Sequence, residues 1–187
     1  MLSATVMPIR VTRACGHSES EEFRYRTVRD RNQQAEAARR VVCRSCRVMI
    51  QGWLELANET PYQVQLPVLS GSDKQVKWAE SIRANQLKSL LPAMAAAAAH
   101  GDKIGAAVWQ ALYVIVMQRQ ARFWIDNREV GFSHYYVEAE ATYFAMTVTF
   151  GVTFSERSIF GYLKKNAPHV IEDARRRCPV APALSIA

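Results

Sequence analysis

Apolar residues recur with two different periods along this chain. Near the N-terminus "IRVTRAC" (residues 9–15) alternates apolar and polar positions, as a strand does. Beyond residue 72 the period lengthens. Val76, Ala79, Ile82, Leu87, Leu90 and Leu91 fall roughly on one face of a helix. "SDKQ" (residues 72–75) is a capping box ahead of that stripe: the serine oxygen can take the N3 amide while the glutamine reaches back. Pro92 should kink or end the helix, "AMAAAAA" resumes it, and Gly101 closes it. A second helix is expected from about 102 to 127. Ile104, Val108, Ala111, Leu112 and Ile115 mark one face, and Trp109, Tyr113 and Val116 make the opposite face apolar, so it reads as the central helix.

The rest is less regular. "VRDRNQQAEAARRVV" (28–42) reads as a helix. "FSHYYVEAEATYFAMTVTF" can start as a helix capped by Ser133, yet its second half is rich in β-branched and aromatic residues; a helix through Met146 is the reading adopted. "SERSIFGYLKK" and "PHVIEDARRR" read as two short terminal helices, with Pro168 suited to a first helical position. "ETPYQVQLPVLSGS" (59–72) has two prolines, a glycine and no helical stripe, and is the linker candidate.

One chemical pattern changes this picture. Cys15, His17, Cys43 and Cys46 are spaced C-x1-H-x25-C-x2-C. Zinc takes four tetrahedral ligands, commonly thiolate and imidazole. A C-x2-C step aims both sulfurs inward, and Gly16 permits the unusual backbone angle that C-x1-H needs. The competing reading makes the cysteines small buried hydrophobes. Cys178 is an alternative fourth ligand, distant in sequence; His17 is preferred. Four protein ligands leave no open position for water, so the zinc is expected to be structural and the protein non-enzymatic, with no catalytic residues. A zinc hydrolase or deaminase remains as the minor alternative: Glu19 lies two residues after His17, but "VCRSC" lacks the proline of the deaminase pattern.

The domain reading follows. Residues 8–58 form a small zinc-ribbon-like module, 59–72 a linker, and 73–178 a helical domain, so the fold class is mainly α. Hydrophobic residues make up 49% of 187 residues, enough for a packed core. No apolar run approaches the ~20 residues of a spanning helix, and "MLSATVMPIR" does not read as a secretion signal, so a cytoplasmic protein without membrane contact is expected.

Charge then points to a partner. The net charge is +7, and residues 1–58 hold ten arginines and no lysine against six acidic residues. Arginine grips phosphate or carboxylate at two points. Arg24, Arg26, Arg29, Arg31, Arg39, Arg40, Arg44 and Arg47 are therefore candidate contacts to nucleic acid or a nucleoprotein complex. "ARFWIDNREVG" adds Trp124 and Arg128 as a candidate recognition edge, against the plainer reading of a helix end. If the partner is a protein, Trp53, Tyr62 or Trp124 would be its aromatic anchors. No glycine-rich phosphate loop is present, and His100, His134 and His169 read as ordinary, so no small-molecule substrate is expected.

Taken together, "CGH" at Cys15, "CRSC" at Cys43, "GSDKQVKWAESIR" at Gly71 and "FWIDNR" at Phe123 resemble a loose family of small proteins from phages, plasmids and other mobile elements. The resemblance spans roughly residues 11–128. It implies a zinc-ribbon-like module on a helical domain and little about function. Proteins of such elements often disable host defence complexes, as anti-CRISPR proteins do, and that association makes a protein–protein inhibitor the second functional expectation.

Overall fold

The computed structural model describes residues 4–56, 62–129, 131–146 and 158–180. The chain opens with a hairpin of β1 (Thr5–Thr12) and β2 (Ser18–Tyr25), antiparallel, with Thr5 opposite Tyr25 and Thr12 opposite Ser18. β2 is a strand that hydropathy does not announce, because its sequence SESEEFRY is mostly polar. Its Glu19, Glu21 and Phe23 alternate, as strand residues on one face must. Arg13 is the reason two glutamates are tolerated there. Only 9% exposed, it donates from Nε to Glu19 (2.6 Å), from Nη2 to Glu21, and from Nη1 to the Ala38 carbonyl (2.8 Å). That last bond ties the hairpin to α1 (Val28–Arg39), whose Ala38 packs on Val11 and Phe23 in a small cluster of its own. A capping box between Thr27 and Asp30 starts α1.

The rest is mostly helical: α2 (Arg44–Leu54), α3 (Asp73–His100), α4 (Lys103–Val116), α5 (Ala121–Asp126), α6 (His134–Ala145), α7 (Ile159–Asn166) and α8 (Pro168–Arg177). The Ser72–Gln75 capping box forms, and Gly101 ends α3 in the left-handed conformation (φ 73°). Pro92 does not end α3, which runs unbroken for 28 residues. The proline removes one backbone hydrogen bond, but it is buried among Leu90, Ala93, Met94 and Ala97, and their packing carries the helix past it. The expected long helix from 102 to 127 is two helices instead. α4 is central and buried nearly all round, as its two-faced pattern indicates. It stops at Val116 because the chain is drawn into a parallel bridge: Ser70 donates to the Arg119 carbonyl (2.8 Å), and Ala121 to the Ser70 carbonyl (2.9 Å). α6 ends at Ala145, one residue short of the expected end, with Met146 as its extended cap; the β-branched residues that follow, and the start of "SERSIFGYLKK", lie outside the described residues.

α4 lies between α3 and α6, and one glycine sets the first of these contacts. A Cβ on Gly105 would stand 2.5 Å from the Ala97 carbonyl oxygen of α3. Alanine is the better helix former by about 1 kcal/mol, yet here the helices must part to admit it. Gly105→Ala is expected to lower stability by about 2 kcal/mol in urea denaturation, the cost of overpacking exceeding the propensity gain; an unchanged midpoint would mean the contact yields freely.

Residues 62–71 lie against the helices. Tyr62 donates to the Leu91 carbonyl (3.2 Å), Arg83 to the Pro67 carbonyl (2.7 Å), and Leu69 is buried. The main core is continuous through α2 to α8, and it includes Ala14, Cys15, Val42, Cys43, Cys46 and Ile50. Three of the sequence-predicted metal ligands thus belong to the principal interior. Among the described residues, no helix is long and apolar enough to cross a membrane.

Candidate metal centre

Two short segments bring the ligands together. After β1 the chain turns so that Gly16 donates to the Arg13 carbonyl (2.9 Å) and Arg13 to the His17 carbonyl (2.8 Å). The turn needs φ 90° at Gly16, a value L side chains rarely adopt. It presents Cys15 inward and His17 at the surface. In the second segment Cys43 is the N-cap of α2 and Cys46 sits in its first turn. The Cys43 Sγ accepts from the Cys46 amide (3.4 Å), and the Cys15 Sγ from the Cys43 amide (3.4 Å). Backbone donors at a helix start favour thiolate over thiol. Ala14 donates to the Val41 carbonyl (3.0 Å) and fastens one segment to the other.

The three Sγ atoms and one imidazole nitrogen lie within 4.8 Å of one another. The His17 Nδ1 is 3.2 Å from the Cys46 Sγ and 3.6 Å from the Cys43 Sγ. Ligands ~2.3 Å from a tetrahedral centre stand about 3.7 Å apart, so these spacings suit one shared ion. The thiols already influence one another. A hydrogen bond from Cys46 pulls the Cys15 thiol down to about 4 against the opposing effect of burial, and the same bond, with burial, pushes Cys46 up. The four cysteines of the described chain form no disulfide. Cys178 stands elsewhere, at the end of α8, with its Sγ 3.9 Å from the Ala106 carbonyl. Glu19, the acid/base candidate of the deaminase alternative, is engaged by Arg13 (2.6 Å) and faces the Arg44 amide (3.4 Å).

The candidate contact residues separate into two groups. Arg24, Arg26, Arg29, Arg39, Arg40 and Arg44 are exposed, although Arg39 and Arg40 both approach Glu36 (3.7 and 3.0 Å). Arg31 is half-buried, 6.0 Å over the Tyr25 ring. Arg47 is already committed. It holds Glu138 of α6 at 2.8–3.0 Å through Nε and Nη2, and that carboxylate raises its proton affinity further. Trp124 cannot be a contact residue, because it is fully buried (0% exposed) in a ring cluster with Phe123 and Phe132, its Nε1 donating to the Gln118 carbonyl (3.1 Å). Arg128 is at the surface and lies 5.5 Å over the Trp78 ring. Trp78, 51% exposed, stands outside the set of anchors named from the sequence. Its signal was its place off the apolar stripe of α3, directly before Ala79. Of the other proposed anchors, Trp53 and Tyr62 are half-buried, edge-on to His100 and Trp109.

The chain is thus a mainly helical protein with an N-terminal Cys/His cluster able to hold a metal ion. No protein-family model matches it, and neither does any curated protein or solved structure.

Proposed function

We propose that this protein is a non-enzymatic, zinc-stabilised binding protein of mobile-element type that engages nucleic acid or a nucleoprotein complex. Three thiolates and an imidazole are a soft, tetrahedral donor set of the kind zinc prefers, and four protein ligands leave no vacancy for a reacting water. Zinc here would fix the hairpin to the start of α2, as the second half of a zinc-ribbon-like module.

The observation that carries the binding reading is how charges are spent in the hairpin and α1. Their acids are largely used within the unit: Glu19 and Glu21 on Arg13, Asp30 on the cap of α1, and Glu36 on Arg40. Arg24, Arg26 and Arg29 remain exposed and outward. Exposed Glu22 stays beside Arg24 on β2, and the arginines still outnumber the exposed acids there, a surface that suits phosphate. Binding of the zinc-loaded protein to labelled nucleic acid, followed by fluorescence anisotropy, is expected to weaken steeply between 50 and 200 mM salt; an affinity indifferent to salt would count against the reading.

One observation favours the second reading, a protein–protein inhibitor akin to anti-CRISPR proteins. The half-exposed Trp78 under Arg128 is a surface aromatic of the type that anchors interfaces. A protein partner that survives nuclease treatment and is lost with Trp78→Ala would move the assignment there.

A further inference from the structure

Among the described residues β1 and β2 pair only with each other, so both outer edges of the hairpin are open; beside the β1 edge an open groove of about 470 Å³ runs between the hairpin and α1. Arg10 lines it from the strand, and Arg31, Asn32 and Arg39 from the helix, over an apolar floor that includes Ile9 and Ala35. Arg10 stands opposite Ser20 in the ladder, with Glu22 the acid diagonal to it on that face. Among the described residues Arg39 has one ion pair, the long, exposed one to Glu36 (3.7 Å), which a phosphate can displace at little cost.

We propose that this groove seats the phosphate backbone of a nucleic-acid duplex, gripped by Arg10, Arg31 and Arg39. The proposal rests on the nucleic-acid reading above and gives it a place. Three features select the occupant. An added peptide strand would need donors along the open edge of β1, and Pro8, in the middle of that strand, has none to give. Single strands are held by stacking bases on aromatic rings, and the ring beside this groove, Tyr25, is already taken up by Arg31 above it and by the floor of Ile9 and Ala35. Three guanidiniums and a carboxamide, in contrast, match phosphate oxygens, which position a duplex without reading its bases. Asn32 and Arg39 also line the hollow on the outer face of α1, where Arg29 and Arg40 lie, so the basic track continues over the helix.

The test uses the full zinc-loaded chain and 20-base-pair duplexes of unrelated sequence, with anisotropy measured from 50 to 200 mM potassium chloride. Each phosphate contact contributes about 0.9 to the slope of log affinity against log salt. The Arg10→Ala/Arg31→Ala/Arg39→Ala variant is expected to flatten that slope by nearly 3, equally for all sequences, while Arg122→Ala on α5 leaves it unchanged. The corresponding triple lysine variant guards against a folding defect: it should keep the slope and lose only part of the affinity. A triple alanine variant that binds with the wild-type slope overturns the groove and leaves the nucleic-acid reading standing. Tighter binding of single strands than of duplexes overturns the choice of a duplex. No binding of the wild type to either strand form overturns both readings, and so does a groove-dependent protein partner that persists after nuclease treatment.

Discussion

The purified protein is expected to carry one zinc ion per chain, and Cys15→Ser, Cys43→Ser, Cys46→Ser and His17→Ala are each expected to lose it, whereas Cys178→Ala keeps it. Elemental analysis of the variants reads this directly. The effect on stability should be the largest of any single change. Structural zinc binding contributes ~10–16 kcal/mol in small zinc peptides at neutral pH, whereas a whole domain is stable by only ~5–15 kcal/mol. Cys15, Cys43 and Cys46 are buried in the principal core, so the loss should reach the helices and not the hairpin alone. Chelation should lower the thermal midpoint and remove helical circular dichroism together. Zinc retained by His17→Ala would break the closed four-ligand site and reopen the catalytic alternative through Glu19. A protein that holds no metal would return the cysteines to plain core packing.

The second large effect is expected at Glu140. This residue of α6 is 1% exposed, and its carboxylate accepts from the backbone amides of Ile159 (2.9 Å) and Phe160 (2.8 Å), with the Ser158 hydroxyl at 3.4 Å. It therefore caps α7 from a neighbouring helix. Glu140→Ala leaves two buried amides without an acceptor, at ~1–3 kcal/mol each, so a loss of about 4 kcal/mol is expected in urea denaturation. The pH dependence has a definite sign. Burial raises the Glu140 carboxyl above its ordinary value of 4.5, and this outweighs the opposing pull of the Phe160 and Ile159 amides. A raised acid is more favourable in the folded state when protonated. Its contribution is thus full below pH 4.5 and declines as pH rises through the folded-state value. The stability of the wild type relative to Glu140→Gln should fall as pH is raised from 4.5 to 7.5. A difference that grows with pH would mean the two amides outweigh burial.

Local features were readable from the sequence where the cause is local. The Ser72–Gln75 box, the left-handed Gly101 and Pro168 at the start of α8 each depend on a few adjacent residues, and all stand where the chain places them. The metal cluster was readable because sulfur and imidazole at such spacings have few other uses. What stayed hidden depends on partners far along the chain. α4 ends at Val116 because Ser70 bonds to Arg119 and Ala121, about 50 residues later. Arg47 looks like a free cation until Glu138 arrives, 91 residues on. Glu140 and Trp124 carry no local mark of burial, since only the packed ring cluster and the start of α7 make their places. β2 was obscured by its glutamates, whose alternation makes sense only once Arg13 stands between them.

α2 packs on both α3 and α6, and its Arg47 is held by Glu138. The ligand-bearing helix therefore has its apolar side inside the helical body, and the cluster that would hold the ion lies where hairpin and body join. This limits how the gene can be cut and reused. A fragment ending after α2 would take Cys46 and Ile50 away from the residues that cover them, and the remaining helices would lose part of their own interior. Unlike a finger that can be strung in tandem or moved between proteins, this Cys/His cluster is built into its helices and would not part from them intact.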